Sequence, residues 1–208
     1  VGTLVVIPAR LGSSRLPRKV LADLRGAPLL LSILDRISRA RVEEILVATD
    51  SLEVARIVED GGGRAVLTSS ALRNGMERVA EVARRRPHER IVHVQADEAL
   101  VRPDQVEALS RALDRWPSAT LAVEADPAAV ASRHRVTVVR DHSGRALYFS
   151  RSTIPSKGPV LRHLGLYAYR RETLLRVASL DVAALESAEG LEQLRLVAHG
   201  VAMAVGIT

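Results

Sequence analysis

A chain of 208 residues with 47% hydrophobic content can bury one α/β core without covalent staples, and it has no cysteine with which to make any. No apolar run reaches bilayer-spanning length, and the opening strand leads into a basic loop with no cleavage-site pattern; a cytoplasmic protein with no membrane partner is expected. The formal charge of +6 suits anionic ligands, but 2% aromatic content leaves little for the stacking platforms of RNA and single-strand binders, so a nucleotide ranks above nucleic acid as partner.

The elements follow an alternating order. An apolar β-branched run at 3–7 predicts a strand, 29–40 an amphipathic helix, 44–49 a strand, 52–60 a helix and 64–67 a short strand. The pattern continues with a helix at 75–86, a strand at 90–95, a helix at 103–116, and strands at 120–123 and 135–140. Such βαβ alternation predicts an α/β fold, a mostly parallel sheet flanked by helices on both faces. Ligands in these sheets bind beyond the carboxyl ends of strands, so the loops after Ile7, Thr49 and Gln95 are the places to search. Residues 144–149 and 164–169 read as further strands and 183–197 as one helix. With no repeat and no linker, 1–208 reads as a single domain, in which 144–208 caps the sheet and completes the pocket.

The first loop, IPARLGSSRLPRKVL, places Arg10, Ser13, Ser14, Arg15 and Lys19 directly after a buried strand. Backbone amides, hydroxyls and cations of this kind can hold a triphosphate and its pyrophosphate leaving group, although a solvated basic loop has the same composition. Lysine occurs only at Lys19 and Lys157. A compact ammonium in an arginine-rich chain hints at a geometric demand. After the strand at 90–95, Gln95, Asp97 and Glu98 stand at the carboxyl edge, where Asp97 suits Mg²⁺ shared with phosphate oxygens and water, or is simply an acidic turn. In RNGMER, Gly75 admits close backbone contact and Arg78 can reach a base or phosphate, or form a surface salt bridge. Asp50 reads as an N-cap of the following helix. Arg162 and His163 precede a strand, while Glu186, Glu189, Glu192 and Gln193 recur at spacings of three and four, hence largely on one helical face. That face is either solvated or supplies acceptors to a polyhydroxylated acid whose carboxylate meets a cation.

Taken together, IPAR…SSRLPRKVL, ILVATD, GMERVAEV, VQADE, GRALYFSRSTIP, LRHLGLYAYR and LEQLR resemble the motifs of the 3-deoxy-manno-octulosonate (Kdo) cytidylyltransferases over nearly the whole chain. The resemblance implies a nucleotide-diphospho-sugar transferase (Rossmann-like) fold and the reaction of CTP with Kdo to give CMP-Kdo and pyrophosphate for lipopolysaccharide synthesis. By the same resemblance, Arg10, Ser14, Arg15 and Lys19 bind CTP phosphates, Gly75, Arg78 and Gln95 hold the cytidine, and Asp97 binds Mg²⁺. Lys19 and Asp97 carry the catalysis. Arg162, His163, Tyr167, Glu192 and Gln193 face the sugar acid, and a homodimer is implied. A cytidylyltransferase for another sugar acid, such as sialic acid, and a non-enzymatic nucleotide-binding relative are the alternatives.

The chain departs from the family pattern in several places. Ala96 and Ala99 stand in Q-A-D-E-A where the family has Q-G-D-E-P, and Asn74-Gly75-Met76 replaces S-G-T. The stretch between Pro155 and Leu161 is shorter, and the chain ends at Thr208, ahead of the G-x-D-T-P-E-D segment in which the family carries another metal-binding aspartate. Were that segment absent from the protein, a second metal site would lack its aspartate.

Overall fold

The computed structural model describes residues 2–12, 18–24, 26–130, 132 and 134–208. In chain order the elements are β1 (Thr3–Ala9), a 3-10 turn (Lys19–Leu21), β2 (Asp23–Leu24), β3 (Ala27–Pro28), α1 (Leu29–Ile37), β4 (Glu44–Thr49), α2 (Leu52–Asp60), β5 (Ala65–Leu67), α3 (Gly75–Arg84), β6 (Arg90–Val94) and α4 (Pro103–Ala112). There follow β7 (Ser118–Ala125), a 3-10 turn (Pro127–Val130), β8 (Thr137–Arg140), β9 (Ala146–Ser150), β10 (Val160–Arg170), α5 (Arg171–Ala178), α6 (Ala184–Glu189), α7 (Leu194–Ala198) and β11 (Ala204–Ile207).

Strand β1 is apolar on both faces because both faces are covered, as befits a central strand. Alternation sends Leu4 and Val6 into one core and Val5, Ile7 and Ala9 into the other. Helices α3 and α5 close the first core and α1 and α4 the second, with Leu30, Ile33 and Ile37 of α1 fully buried at helical spacing. The large sheet runs β11-β7-β10-β6-β1-β4-β5, with β8 against β10 and β9 against β8. Only β9 and β10 oppose the other strands, which makes a mostly parallel, mixed sheet flanked by helices. Because β4 and β6 leave β1 on opposite sides, a crevice opens at the carboxyl ends of β1 and β6.

One irregularity shapes that crevice. Along β10 the pairing with β7 passes from His163↔Ala122 to Tyr167↔Thr120, so four steps on one strand match two on the other. The two surplus residues form a bulge, with Gly165 at its centre. A Cβ on Gly165 would stand 2.4 Å from Gln95 Oε1 and 2.9 Å from Glu98 Oε1, so the side chains of the loop after β6 occupy the space that the glycine leaves.

Two expectations are corrected. Asp50 does not cap α2: Ser51 does, its hydroxyl accepting from the Val54 N–H at 3.3 Å, while Asp50 turns to Arg78. The helix expected at 183–197 is two helices, because Gly190 takes the left-handed conformation (φ 63°) and ends α6. The polar residues expected on one face therefore diverge. Glu186 forms a buried fork with Arg195 (2.8 and 2.7 Å), Glu189 accepts from the Ser150 hydroxyl (2.9 Å) and the Arg151 N–H (2.9 Å), and Glu192 accepts from the Met76 N–H (3.1 Å). The Arg195 fork holds α6 against α7. Removing one partner strands a buried charge, so Glu186→Ala is expected to lower the unfolding free energy by about 3–5 kcal/mol in urea titrations, and adding Arg195→Met should restore much of the loss.

Candidate active site

Three loops and the bulged strand surround a cavity of about 800 Å³ at the switch-point crevice. Its first wall follows β1. Arg10 lines it; Ser14 and Arg15 lie outside the described residues. The loop closes at its base through the Arg18 N–H to the Leu11 carbonyl (3.2 Å). Arg18 has positive φ (59°) and forks onto Glu53 at the start of α2, one contact measuring 3.1 Å. This turn aims Lys19 across the crevice, where its Nζ lies 2.7 Å from Asp97 Oδ2.

The second wall follows β6. Gln95, Asp97 and Glu98 all line the cavity, and Gly165 of β10 fixes the loop that carries them. The Gln95 N–H donates to the Gly165 carbonyl (2.9 Å), and the Gly165 N–H donates to Glu98. Burial pushes the Glu98 carboxyl up, opposed by that N–H and reinforced by neighbouring Asp97. Glu98 is thus spent on backbone, while the Asp97 carboxylate stays about half exposed, 44%, at the cavity.

Gly75 begins α3 at the third wall, behind its N-cap Asn74, whose side chain accepts from the Glu77 N–H at 2.9 Å. A Cβ at Gly75 would stand only 3.2 Å from His93 Cε1 and Nε2. Arg78 points elsewhere: it is buried, bonds to Thr68, and pairs with Asp50 at 2.9 Å, tying α3 to the ends of β4 and β5. It is not among the residues lining the cavity.

Arg162, His163 and Tyr167 of β10, with Glu192 and Gln193, form the remaining wall. Burial pulls His163 down to about 3, with Arg162 adding to the effect, so the ring is neutral at any working pH. Burial raises Tyr167 far above the usual phenol range. Its hydroxyl bridges two amides at long range, accepting from Gln95 Nε2 (3.5 Å) and donating to Gln193 Oε1 (3.4 Å). Burial lifts the Glu192 carboxyl to about 7, helped by Glu186 and opposed by the Met76 N–H and Arg195.

Sequence reasoning did not single out His93, Arg135, Arg151 or Thr120. His93, Arg135 and Arg151 line the cavity, and Thr120 lies directly behind His163. His93 was findable: strand alternation puts it on the same face as Gln95. Burial holds it neutral, down to about 3 with Asp97 pulling back, and neither ring nitrogen has a hydrogen-bond partner among the described residues. Glu192 Oε1 and Gln193 Nε2 are likewise buried and unpaired. Each such atom costs about 1–3 kcal/mol until something pairs with it, which favours a ligand rich in polar groups.

For Mg²⁺, the described residues hold no cluster of three or more candidate ligands. Magnesium commonly takes one or two carboxylates and completes its shell with phosphate and water. Asp97 therefore fits that ion as a joint site with a nucleotide, and not as a protein cage.

The chain matches the cytidylyltransferase family over residues 4–203. It is 43% identical to the 3-deoxy-manno-octulosonate cytidylyltransferase of Rhodospirillum centenum, covering 98% of this chain and 84% of that protein, and 40% identical to that of Chlorobium phaeovibrioides, covering 99% and 88%. The structure superposes on CMP:2-keto-3-deoxy-manno-octonic acid synthetase complexed with CTP with a TM-score of 0.94 at 37% identity, covering 100% of this chain and 90% of that one. A cytidylyltransferase from Leptospira borgpetersenii, at 13% identity and TM-score 0.66 over 100% and 76% of the two chains, shares the fold. The chain belongs to the 3-deoxy-manno-octulosonate cytidylyltransferase family.

The raised Glu192 carboxyl makes a prediction with a definite sign. Between about 4.5 and about 7 the folded protein binds this proton while the unfolded chain releases it, so the contribution of Glu192 to stability is full below that window and falls as pH rises through it. Unfolding free energies of wild type and Glu192→Gln from urea titrations should diverge across those pH values, by up to a few kcal/mol, and run parallel above about 7.

Proposed function

We propose that the chain transfers the cytidylyl group of CTP to Kdo, releasing pyrophosphate and forming CMP-Kdo, with Mg²⁺ held at Asp97. The observation that carries this reading is the approach of Lys19 Nζ to Asp97 Oδ2, 2.7 Å, in the mouth of a cavity whose far wall offers Arg162 and buried polar groups. One end of that cavity suits phosphates and the other a polyol acid.

The C2 anomeric hydroxyl of the sugar acid attacks the α-phosphorus in line. The new O–P bond forms as the bond from phosphorus to the pyrophosphate oxygen breaks, and the hydroxyl proton leaves to solvent. Of the three histidines that line the cavity, His93 and His163 are held neutral near 3 and are too weak as bases to drive that transfer. Catalysis in this reading comes from alignment and charge. Arg10 and Lys19 meet the phosphates, with Lys19 exchanging its Asp97 partner for them. Gly75 and Gln95 flank the cytidine, and Arg162 takes the sugar carboxylate. Magnesium, when bound at Asp97, neutralises phosphate oxygens and polarises the phosphoryl group. Ser14, Arg15 and Arg78 remain candidates for the nucleotide by resemblance; Arg78 would first have to give up Asp50. Family membership also supports a cytoplasmic homodimer serving lipopolysaccharide synthesis. Among the described residues no helix is long and apolar enough to cross a membrane.

Pyrophosphate release from CTP in MgCl₂ tests the reading. Release should require Kdo, should stop with EDTA, should fail with N-acetylneuraminate in place of Kdo, and should fall by about 100-fold or more in Asp97→Ala and in Lys19→Ala. CTP binding without turnover, or release indifferent to Asp97, would defeat it.

A further inference from the structure

Thr120 lies wholly buried on β7, opposite the bulge. Its Oγ1 is 2.7 Å from the carbonyl of Leu166 and 2.8 Å from Nε2 of His163. A threonine hydroxyl has one proton to give, and a carbonyl can only accept. The proton is therefore committed to Leu166, whose carbonyl the bulge leaves facing Thr120 in place of a ladder partner. The bond to His163 must then run the other way, with Nε2–H donating to the hydroxyl oxygen. A neutral imidazole protonated at Nε2 carries its lone pair at Nδ1, on a ring that lines the cavity. Phe149, edge-on at 5.0 Å, and Tyr167 at 5.3 Å pack against the ring and hold it in this pose.

We infer that Thr120 is a positioning residue that locks His163 in its Nε2–H tautomer, so that His163 offers the cavity an acceptor and selects a ligand hydroxyl, leaving the ligand carboxylate to Arg162. This rests on the reading of the cavity as a sugar-acid site, and it goes further by assigning a chemical sense to one contact. A neutral acceptor beside a cationic guanidinium sorts a hydroxy acid by orientation: reversing the ligand would set carboxylate against lone pair, two acceptors with no proton between them.

Long-range ¹H–¹⁵N correlation of protein labelled with ¹⁵N-histidine reads the tautomer directly, and steady-state kinetics reads its consequence. Wild type and Thr120→Ser should show His163 as Nε2–H with no titration between pH 6 and pH 8. Thr120→Val, nearly isosteric but without the hydroxyl, should lose that pattern and raise KM for Kdo by about tenfold, the equivalent of ~1.4 kcal/mol, with a smaller change in kcat. A wild-type spectrum with the proton on Nδ1 would overturn the assignment. A changed tautomer in Thr120→Val with unchanged KM would overturn the selectivity role. If wild type fails to turn over Kdo at all, the functional reading falls, and the spectrum still decides the tautomer alone. Should Thr120→Val not fold, wild type and Thr120→Ser carry the spectroscopic test.

Discussion

The bulge between His163 and Tyr167 is the constraint on which the rest of the site depends. Two surplus residues in β10 break its ladder with β7, while its ladder with β6 runs on in register through Gly165. Gly165 receives Gln95 and Glu98 on one side, and the Leu166 carbonyl receives Thr120 on the other. The loop after β6 and the His163 side of the cavity are thereby anchored to adjacent peptide units. The Gln95–Gly165 bond continues the register of β10 with β6, whereas the bulge against β7 turns the Leu166 carbonyl to Thr120; a Cβ at 165 would stand 2.4 Å from Gln95 Oε1 and 2.9 Å from Glu98 Oε1, so both side chains would have to shift.

Charge in the cavity is divided in a way that follows from burial. Groups meant to be ionised stay partly solvated: Lys19 and Asp97 neutralise each other at the mouth, at 38% and 44% side-chain exposure. Groups deeper in the wall are neutral because a low dielectric disfavours the ion. His93 and His163 are held near 3 and the Tyr167 phenol far above its usual range. The interior thus presents oriented dipoles and unpaired polar atoms, while the mouth presents exchangeable ions. Arg195 and Arg78, both buried and paired, serve the frame: one joins α6 to α7, the other α3 to the strand ends.

Much of the fold was legible in the sequence because its signals are local. The run TLVVI announces β1, and the periodic apolar residues of α1 to α4 announce their helices, so the order of strands and the loops after β1 and β6 followed from pattern alone. Helix α5, from Arg171 to Ala178, was missed, since no side chain caps its start. Strand β11 was missed as well: AVGI is short, and its glycine packs against Leu121 of β7, a distant partner. The helix at 183–197 failed for a sharper reason, since a single left-handed glycine outweighed a run of acidic residues at helical spacing. The bulge itself could not be read, because register is a property of two strands and LRHLGLYAYR states only one of them. Thr120 for the same reason looked like an ordinary core strand residue. Resemblance to the family alone brought Tyr167 into the site, and it chose for Glu192 and Gln193 between the solvated face and the ligand wall that spacing had left open.

If the bulge joins the two sides of the site, disturbing both of its anchors must be non-additive. The direct measurement is a double-mutant cycle on kcat/KM for Kdo using Glu98→Ala, Thr120→Val and their combination. Anchors acting on one shared backbone segment are expected to couple by about 1 kcal/mol or more. Additivity within about 0.3–0.5 kcal/mol would mean that the loop and the histidine are held independently, and would contradict the account.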